Sequence, residues 1–294
     1  MKIAVIGAGK WGSALYFALS QNNDICITSR TPRDIENFVS LDEALACEYI
    51  VITVPAQQIG SWLKNNFKFN GQKILVAAKG IEVSSGKFLN EVYEEFLPKE
   101  NIAFLSGPSF ASEVIKSLPT ALVVSSTNKK LAKKFAKAMP DFIKAYVDKD
   151  VIGAEVAGAY KNVIAIASGV CDGLNLGNNA RAALISRGLV EMSRFGKYFG
   201  AKNKTFLSLG GSGDLFLTAS SNLSRNYRVG FNLAKGKSLD DILKELGEVA
   251  EGVATTKALV KISKDKKIYM PIVNEVDRIL KGKDPKKSLI DLLK

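Results

Sequence analysis

The chain contains no histidine among its 294 residues. Proton transfer therefore falls to Lys, Asp, Glu, Tyr or Cys, and His-based triads and imidazole metal sites are excluded. The cysteines, Cys26, Cys47 and Cys171, are scattered with no C-x-x-C spacing, which argues against a zinc site or a disulfide framework. No metal is expected. The most unusually placed ionisable residue is Lys161. It stands in Gly158-Ala159-Tyr160-Lys161-Asn162, inside the otherwise apolar helical run Val151–Val170. A charge there is costly unless it is paired or used as a general acid or base. Snorkelling to solvent is the alternative, weakened by apolar neighbours on both sides.

Phosphate recognition is written near the start. Gly7-Ala8-Gly9-Lys10-Trp11-Gly12 follows the apolar run Ile3–Ile6 and opens a helical segment, the strand–turn–helix context that G-x-G-x-x-G requires. Gly7 allows the tight turn, Gly9 lets backbone approach a pyrophosphate, and Gly12 lets helix and strand pack closely. The second strand ends in Thr28-Ser29-Arg30, with Arg33 behind it and no carboxylate for a ribose 2′-hydroxyl. Arg30 and Arg33 suit a 2′-phosphate or the adenine face, which favours NADP(H) over NAD(H) without excluding NAD; surface-loop arginines are the alternative.

Other polar groups fall just after strands or before helices. Val54-Pro55-Ala56-Gln57 is an apolar edge suited to a nicotinamide or a plain turn, Lys79-Gly80 puts a cation at the fourth strand's end, and Ser106-Gly107-Pro108-Ser109-Phe110-Ala111 offers turn amides and a hydroxyl. Gly213-Asp214-Leu215 places a carboxylate at a helix start, and Ser224-Arg225-Asn226 gathers hydroxyl, guanidinium and amide before another helix. Ordinary turns, caps and solvated cations are the competing readings.

These groups need a frame. Ile3–Ile6, Ile25–Ser29, Tyr49–Val54, Ile74–Ala78, Ile102–Leu105 and Ala121–Ser125 read as buried parallel strands. Helical spacing over Trp11–Gln21, Leu41–Cys47, Phe88–Leu97 and Asn128–Met139 separates them, so residues 1–150 form an α/β Rossmann-type dinucleotide-binding domain with a doubly wound parallel sheet. Residues 151–294 read as an all-helical substrate domain: Val151–Val170, Arg181–Tyr198, Leu215–Leu223, Arg225–Ala234, Leu239–Leu246, Val253–Ser263, Pro271–Leu280 and Pro285–Leu293, with a cleft expected between the two domains.

The composition, 47% hydrophobic and 24% charged, is globular, and no run reaches the roughly 18 apolar residues of a membrane span. The opening residues do not read as a secretory signal, so a cytoplasmic location is expected. The net charge of +12 reads mainly as solvated surface, with its largest local excess placed at Lys281, Lys283, Lys286 and Lys287. The expected partner is a small-molecule phosphate substrate, without nucleic acid or membrane insertion; a homodimer is the assembly to test.

Together the motifs resemble the NAD(P)-dependent glycerol-3-phosphate dehydrogenase family of bacteria. Gly7-x-Gly9-x-Trp11-Gly12, Ala78-Lys79-Gly80-Ile81-Glu82, Gly107-Pro108-Ser109-Phe110-Ala111, Gly158-Ala159-Tyr160-Lys161-Asn162-Val163, Gly213-Asp214-Leu215, Ser224-Arg225-Asn226 and Val249-Ala250-Glu251-Gly252-Val253 carry the resemblance, in the family's order over nearly the whole chain. It implies that Lys161 takes the proton of the substrate C2 hydroxyl. It also implies that Lys79, Gly107, Ser109, Asp214, Ser224, Arg225 and Asn226 line the glycerol phosphate pocket, and that Trp11, Arg30, Arg33, Lys79, Ala111, Arg225, Val249 and Glu251 touch the cofactor. The implied activity is reduction of dihydroxyacetone phosphate to sn-glycerol 3-phosphate for phospholipid synthesis. The stretch between Arg30 and Leu41 is shorter than the family's usual loop near the adenine ribose. Three other readings compete: a β-hydroxyacid dehydrogenase or ketopantoate reductase, with a carboxylate in place of the phosphate; a dinucleotide sensor without turnover; and a basic nucleic-acid binder.

Overall fold

The structure is a computed structural model and describes residues 1–247 and 249–293. It divides into two compact units. The first comprises Met1–Lys79 and Leu89–Ala154; the second comprises Gly80–Phe88 and the chain from Glu155 onward. The sequence reading drew the line at 150 instead. Gly80–Phe88 joins the second unit through a small hairpin, bridged at Ile81 and Phe88, whose Phe88 ring meets Phe195 and Phe199 edge-on at 6.2 and 5.3 Å.

In the first unit β1 (Lys2–Ile6), α1 (Lys10–Ser20), β2 (Asp24–Thr28), α2 (Leu41–Leu45), β3 (Tyr49–Ile52), α3 (Ile59–Asn66), β4 (Lys73–Val76), α4 (Leu89–Glu94), β5 (Ile102–Ser106), α5 (Ala111–Val114), β6 (Thr120–Ser125), α6 (Lys129–Ala138) and β7 (Ile143–Asp148) follow in order. The strands make a sheet ordered β2-β1-β3-β4-β5-β6-β7. It is parallel except between β5 and β6, so β6 and β7 run against the rest. Tyr49-Ile50-Val51-Ile52 is buried along its whole length, as expected of a strand covered on both faces. One face packs Ile3, Val5, Leu15, Leu19 and Phe135; the other packs Ile50, Ile52, Ile74 and Tyr93.

In this unit β7, α3 and the short α5 lie outside the sequence reading. β7 is an edge strand with outward Lys144 and Tyr146, so it lacks the continuous apolar run sought in buried strands. α3 buries only Ile59 and Leu63, one i,i+4 pair, too little periodicity to stand out. The cysteines are free, but Cys26 and Cys47 come together with their sulfurs at 4.0 Å. Burial, and next the neighbouring Cys47, pushes the Cys26 thiol up to about 12.

The second unit is helical. α7 (Val151–Gly173), which begins four residues before it, is followed by α8 (Gly177–Tyr198), α9 (Asn203–Phe206), α10 (Asp214–Ala219), α11 (Arg225–Ala234), α12 (Leu239–Leu246), α13 (Glu251–Lys266), α14 (Pro271–Leu280) and α15 (Pro285–Leu293). α8 starts before the expected Arg181 and α10 stops before the expected Leu223. α7 is buried from Gly153 to Cys171, as its composition predicts. α11 crosses it backbone to backbone: a Cβ on Gly230 would stand 1.8 Å from the Ile166 carbonyl oxygen, so any side chain there would push α11 away. The buried Glu191 of α8 accepts the Ile272 and Val273 N–H groups at the start of α14, each at 3.0 Å, and the Tyr160 hydroxyl at 3.1 Å. One carboxylate thus ties three helices together. No helix among the described residues is long and apolar enough to cross a membrane.

Candidate active site

In the first unit the order β2-β1-β3 means that the chain leaves β1 to one side and returns on the other for β3. That switch point opens a crevice outside the carboxyl ends of β1 and β3. Gly7 lies there with φ +109, a conformation costly for any residue with a Cβ. A Cβ on Gly12 would fall 1.8 Å from the Gly7 carbonyl oxygen, so the first turn of α1 presses onto the end of β1. Gly9 differs: a Cβ there would meet nothing within 4 Å. Its open side is a cradle for a group approaching the backbone. α1 starts directly after Gly9 without a side-chain cap, and an uncapped N-terminus suits a pyrophosphate. The chain's own residues thus fit a dinucleotide.

Two side chains hold this loop. Thr53, just past β3, donates its hydroxyl toward the carbonyls of Ile6 and Gly7, both at 3.1 Å. The Trp11 indole N–H donates to the Ala77 carbonyl at 3.2 Å, so Trp11 spans from α1 to the end of β4. Sequence reasoning missed Thr53, which it placed inside the expected strand Tyr49–Val54 rather than just past the strand end at Ile52. Arg30 and Arg33 are exposed beyond the end of β2, which pairs beside β1. Lys79 is half-buried beyond β4. Gly107 follows β5 with φ +110, Ser109 donates to its carbonyl at 3.1 Å, and Ala111 opens α5.

The second unit holds the acid–base pair. Lys161 is only 8% exposed and Asp214 only 1%. The Lys161 ammonium donates to Asp214 Oδ1 as a salt bridge, so the lysine pairs internally rather than snorkelling. A π turn, Leu209–Gly213, delivers Asp214 as the first residue of α10, and its carboxylate turns to Lys161 rather than capping the helix. The Thr218 hydroxyl donates to the Asp214 carbonyl at 2.6 Å and lies 3.4 Å from Oδ1.

Ser224 caps α11 by accepting the Tyr227 N–H at 3.2 Å, and Arg225 is exposed at the first position of that helix. Asn226 is buried. Its amide donates to Asn162 Oδ1 and its oxygen accepts the Gly252 N–H, both at 3.0 Å. The residue after Lys161, the Ser224-Arg225-Asn226 trio and the start of α13 are therefore joined, and Glu251 and exposed Val249 lie beside that start. Asn162 is the connection that sequence reasoning missed. Among the described residues no three His, Cys, Asp or Glu side chains gather as a metal site.

Comparison with known proteins extends over the same elements. Residues 27–132 match the family model for the N-terminus of NAD-dependent glycerol-3-phosphate dehydrogenase, and residues 150–291 match that for its C-terminus. A curated glycerol-3-phosphate dehydrogenase [NAD(P)+] from Sulfurimonas denitrificans is 64% identical over 292 residues, covering 99% of each chain. One from Campylobacter jejuni subsp. doylei is 62% identical over 294 residues, covering 100% of this chain and 99% of the relative. The crystal structure of glycerol-3-phosphate dehydrogenase from Coxiella burnetii superposes with a TM-score of 0.91 at 33% identity, covering 100% of this chain and 98% of that one. With family models over residues 27–132 and 150–291, and relatives above 60% identity end to end, the chain belongs to the NAD-dependent glycerol-3-phosphate dehydrogenase family.

Proposed function

We propose that the chain interconverts dihydroxyacetone phosphate and sn-glycerol 3-phosphate with NADP(H) or NAD(H), in the cytoplasm, supplying the glycerol phosphate of phospholipids. The observation that carries this reading is the buried Lys161–Asp214 pair. Lysine enclosed with a carboxylate is a proton carrier whose position is fixed, not a solvated surface charge. When bound, the nicotinamide supplies or accepts the hydride at C2. Lys161 Nζ gives a proton to the C2 oxygen in reduction and takes it from the hydroxyl in oxidation. Asp214 orients the ammonium and balances its charge, and Thr218 steadies Asp214. In the second unit Ser224, Arg225 and Asn226 are the proposed phosphate and hydroxyl contacts, and in the first unit Lys79, Gly107 and Ser109 are the proposed substrate contacts; binding energy remote from C2 positions the reacting carbon. In the first unit Gly7, Gly9 and Gly12 seat the pyrophosphate and Trp11, Arg30, Arg33, Lys79 and Ala111 are further cofactor contacts; in the second unit the proposed cofactor contacts are Arg225, Val249 and Glu251.

The test is cofactor oxidation followed by absorbance with dihydroxyacetone phosphate, comparing NADPH with NADH and offering ketopantoate as the rival substrate, for the wild type and Lys161→Met. Turnover of the triose phosphate that collapses in the variant supports the assignment. Tight cofactor binding with turnover of ketopantoate alone, or with none, refutes it.

A further inference from the structure

The expected basic centre and the observed one differ. At the C-terminal cluster Lys281 pairs with Asp277 at 2.7 Å, and Lys283 pairs with Glu275 and Asp291, both at 2.6 Å. Helix α6, Lys129-Lys130-Leu131-Ala132-Lys133-Lys134-Phe135-Ala136-Lys137-Ala138, has no acid of its own. Its five lysines are all exposed, while Leu131, Ala132, Phe135 and Ala138 are buried in the core. At about 100° per residue the lysines fall within an arc of about 140°. Lys134 rests over the Tyr49 ring at 5.1–5.2 Å beside Lys73, Lys134 itself at 5.2 Å. Among the described residues Lys129, Lys130, Lys133 and Lys137 form no ion pair.

The position of α6 is fixed along its length. Asn128, its N-cap, donates to the Glu100 carbonyl at 2.9 Å just before β5. Lys134 meets Tyr49 at the start of β3, and the Ala138 carbonyl accepts from Asn23 at 2.9 Å just before β2. The helix thus runs over the N-terminal ends of β2, β3 and β5, whereas the glycine loop follows the carboxyl end of β1. Exposed acids at that end are Asp24, Glu48 and Glu100, with Asp141 beyond the helix; Glu48 is already paired with Lys73.

We propose that α6 is an adsorption surface for an anionic lipid bilayer. The chemistry favours a bilayer over RNA. The charged face contains only lysines, compact ammonium charges that tolerate mobile headgroups, and no arginine fork. The one aromatic residue of α6, Phe135, is buried, so no exposed ring on the helix stacks a base. Because the apolar face is committed to the core, the helix adsorbs without inserting. The glycine loop, at the other end of the parallel strands, stays uncovered.

The test is sedimentation of the full chain with phosphatidylcholine vesicles, with phosphatidylcholine–phosphatidylglycerol vesicles and, separately, with single-stranded RNA. The variants are Lys129→Gln/Lys130→Gln/Lys133→Gln/Lys137→Gln and, as a control elsewhere, Lys281→Gln/Lys286→Gln/Lys287→Gln. The proposal expects binding to the anionic vesicles only, weakened roughly fivefold for each α6 lysine removed, unaffected in the control, and lost as salt shortens the Debye length from about 10 Å to about 3 Å. The α6 variant should retain its thermal unfolding profile and its turnover in solution. Failure of the wild type to bind anionic vesicles at low salt, equal binding by the α6 variant, or binding to RNA without binding to vesicles overturns it.

Discussion

The glycine loop and the lysine pair solve opposite problems. At Gly7 and Gly12 the molecule removes side chains so that strand, turn and helix can pack, and at Gly9 it leaves the backbone open; the information lies within six consecutive residues. At Lys161 and Asp214 it encloses two charges, 53 residues apart in sequence, that neither helix tolerates alone. The first site costs little in stability because its backbone follows the strand and helix on either side. The second is favourable only as a pair. Desolvating a single ion exceeds what packing returns, whereas a matched ion recovers most of it. A backbone site should therefore respond to added volume, and a charge-pair site to loss of one partner.

The largest effect should come from breaking the pair. Lys161→Met should lower kcat by about 10²–10⁴-fold, the usual worth of a positioned proton carrier. Removing one partner should also destabilise the chain by about 3–5 kcal/mol, because Asp214 is left enclosed without its counter-ion. Lys161→Met/Asp214→Asn should regain most of that stability and none of the turnover. Urea unfolding beside steady-state kinetics separates the two losses. A double variant as unstable as the single one would mean that the pair is not the unit of stability there.

Next in size is the contrast within the glycine loop. Gly12→Ala must displace either α1 or the Gly7 carbonyl, an overpacking cost of about 1–3 kcal/mol. Gly9→Ala adds a methyl to open space at φ -75, so its thermal midpoint should stay within the error of the wild type while NADPH affinity falls. Cofactor titration followed by thermal unfolding checks both. Equal destabilisation by the two changes would remove the distinction between a packing glycine and a ligand-facing one.

The same difference governs what the sequence made visible. The strand–loop–helix of β1 and α1 is local, so its glycines, their order and the packing roles of Gly7 and Gly12 could be read from the sequence alone. Lys161 was visible as an anomaly, a cation within an apolar helix. Its partnership with Asp214 was only one of the roles open to that carboxylate, because nothing in a one-dimensional pattern specifies a partner on another helix. Thr53, Asn162 and Glu191 were silent for that reason: each is an ordinary polar residue until the fold sets a specific carbonyl, amide or N–H opposite it. β7 was silent for another. An edge strand buries one face, and its alternation with Lys144 and Tyr146 resembles a loop when continuous apolar runs are sought.

A smaller effect tests the rim of the cofactor site. Arg30 and Arg33 are exposed, so under the proposed function they would meet a 2′-phosphate through solvent-screened charge. Arg30→Ala/Arg33→Ala should reduce the NADPH to NADH preference by roughly tenfold or less, mostly through KM for NADPH, and the change should shrink with added salt. An unchanged ratio would place the discrimination elsewhere and leave the glycine loop as a pyrophosphate site alone.

The smallest effect concerns pH and separates the two regions once more. Burial raises the Glu191 carboxyl above its ordinary value of 4.5, with the N–H groups of Ile272 and Val273 and the Tyr160 hydroxyl opposing the shift only in part. An acid that is easier to protonate in the folded chain than in the unfolded one contributes stability that is full below the unfolded value and is lost as pH rises through the folded value. Wild-type stability should therefore carry a downward component on going from about pH 4 toward pH 7 that Glu191→Gln lacks. The quantity to follow is the difference in urea midpoint between the two chains, in which the remaining carboxylates cancel. That difference should move in the variant's favour as pH rises and then level off. Gly9→Ala, which touches no ionisable group, should run parallel to the wild type across the same range. A Glu191→Gln difference that stays constant with pH would mean that the carboxylate ionises as easily in the fold as in water, and that its bonds to α14 and Tyr160 fully offset its burial.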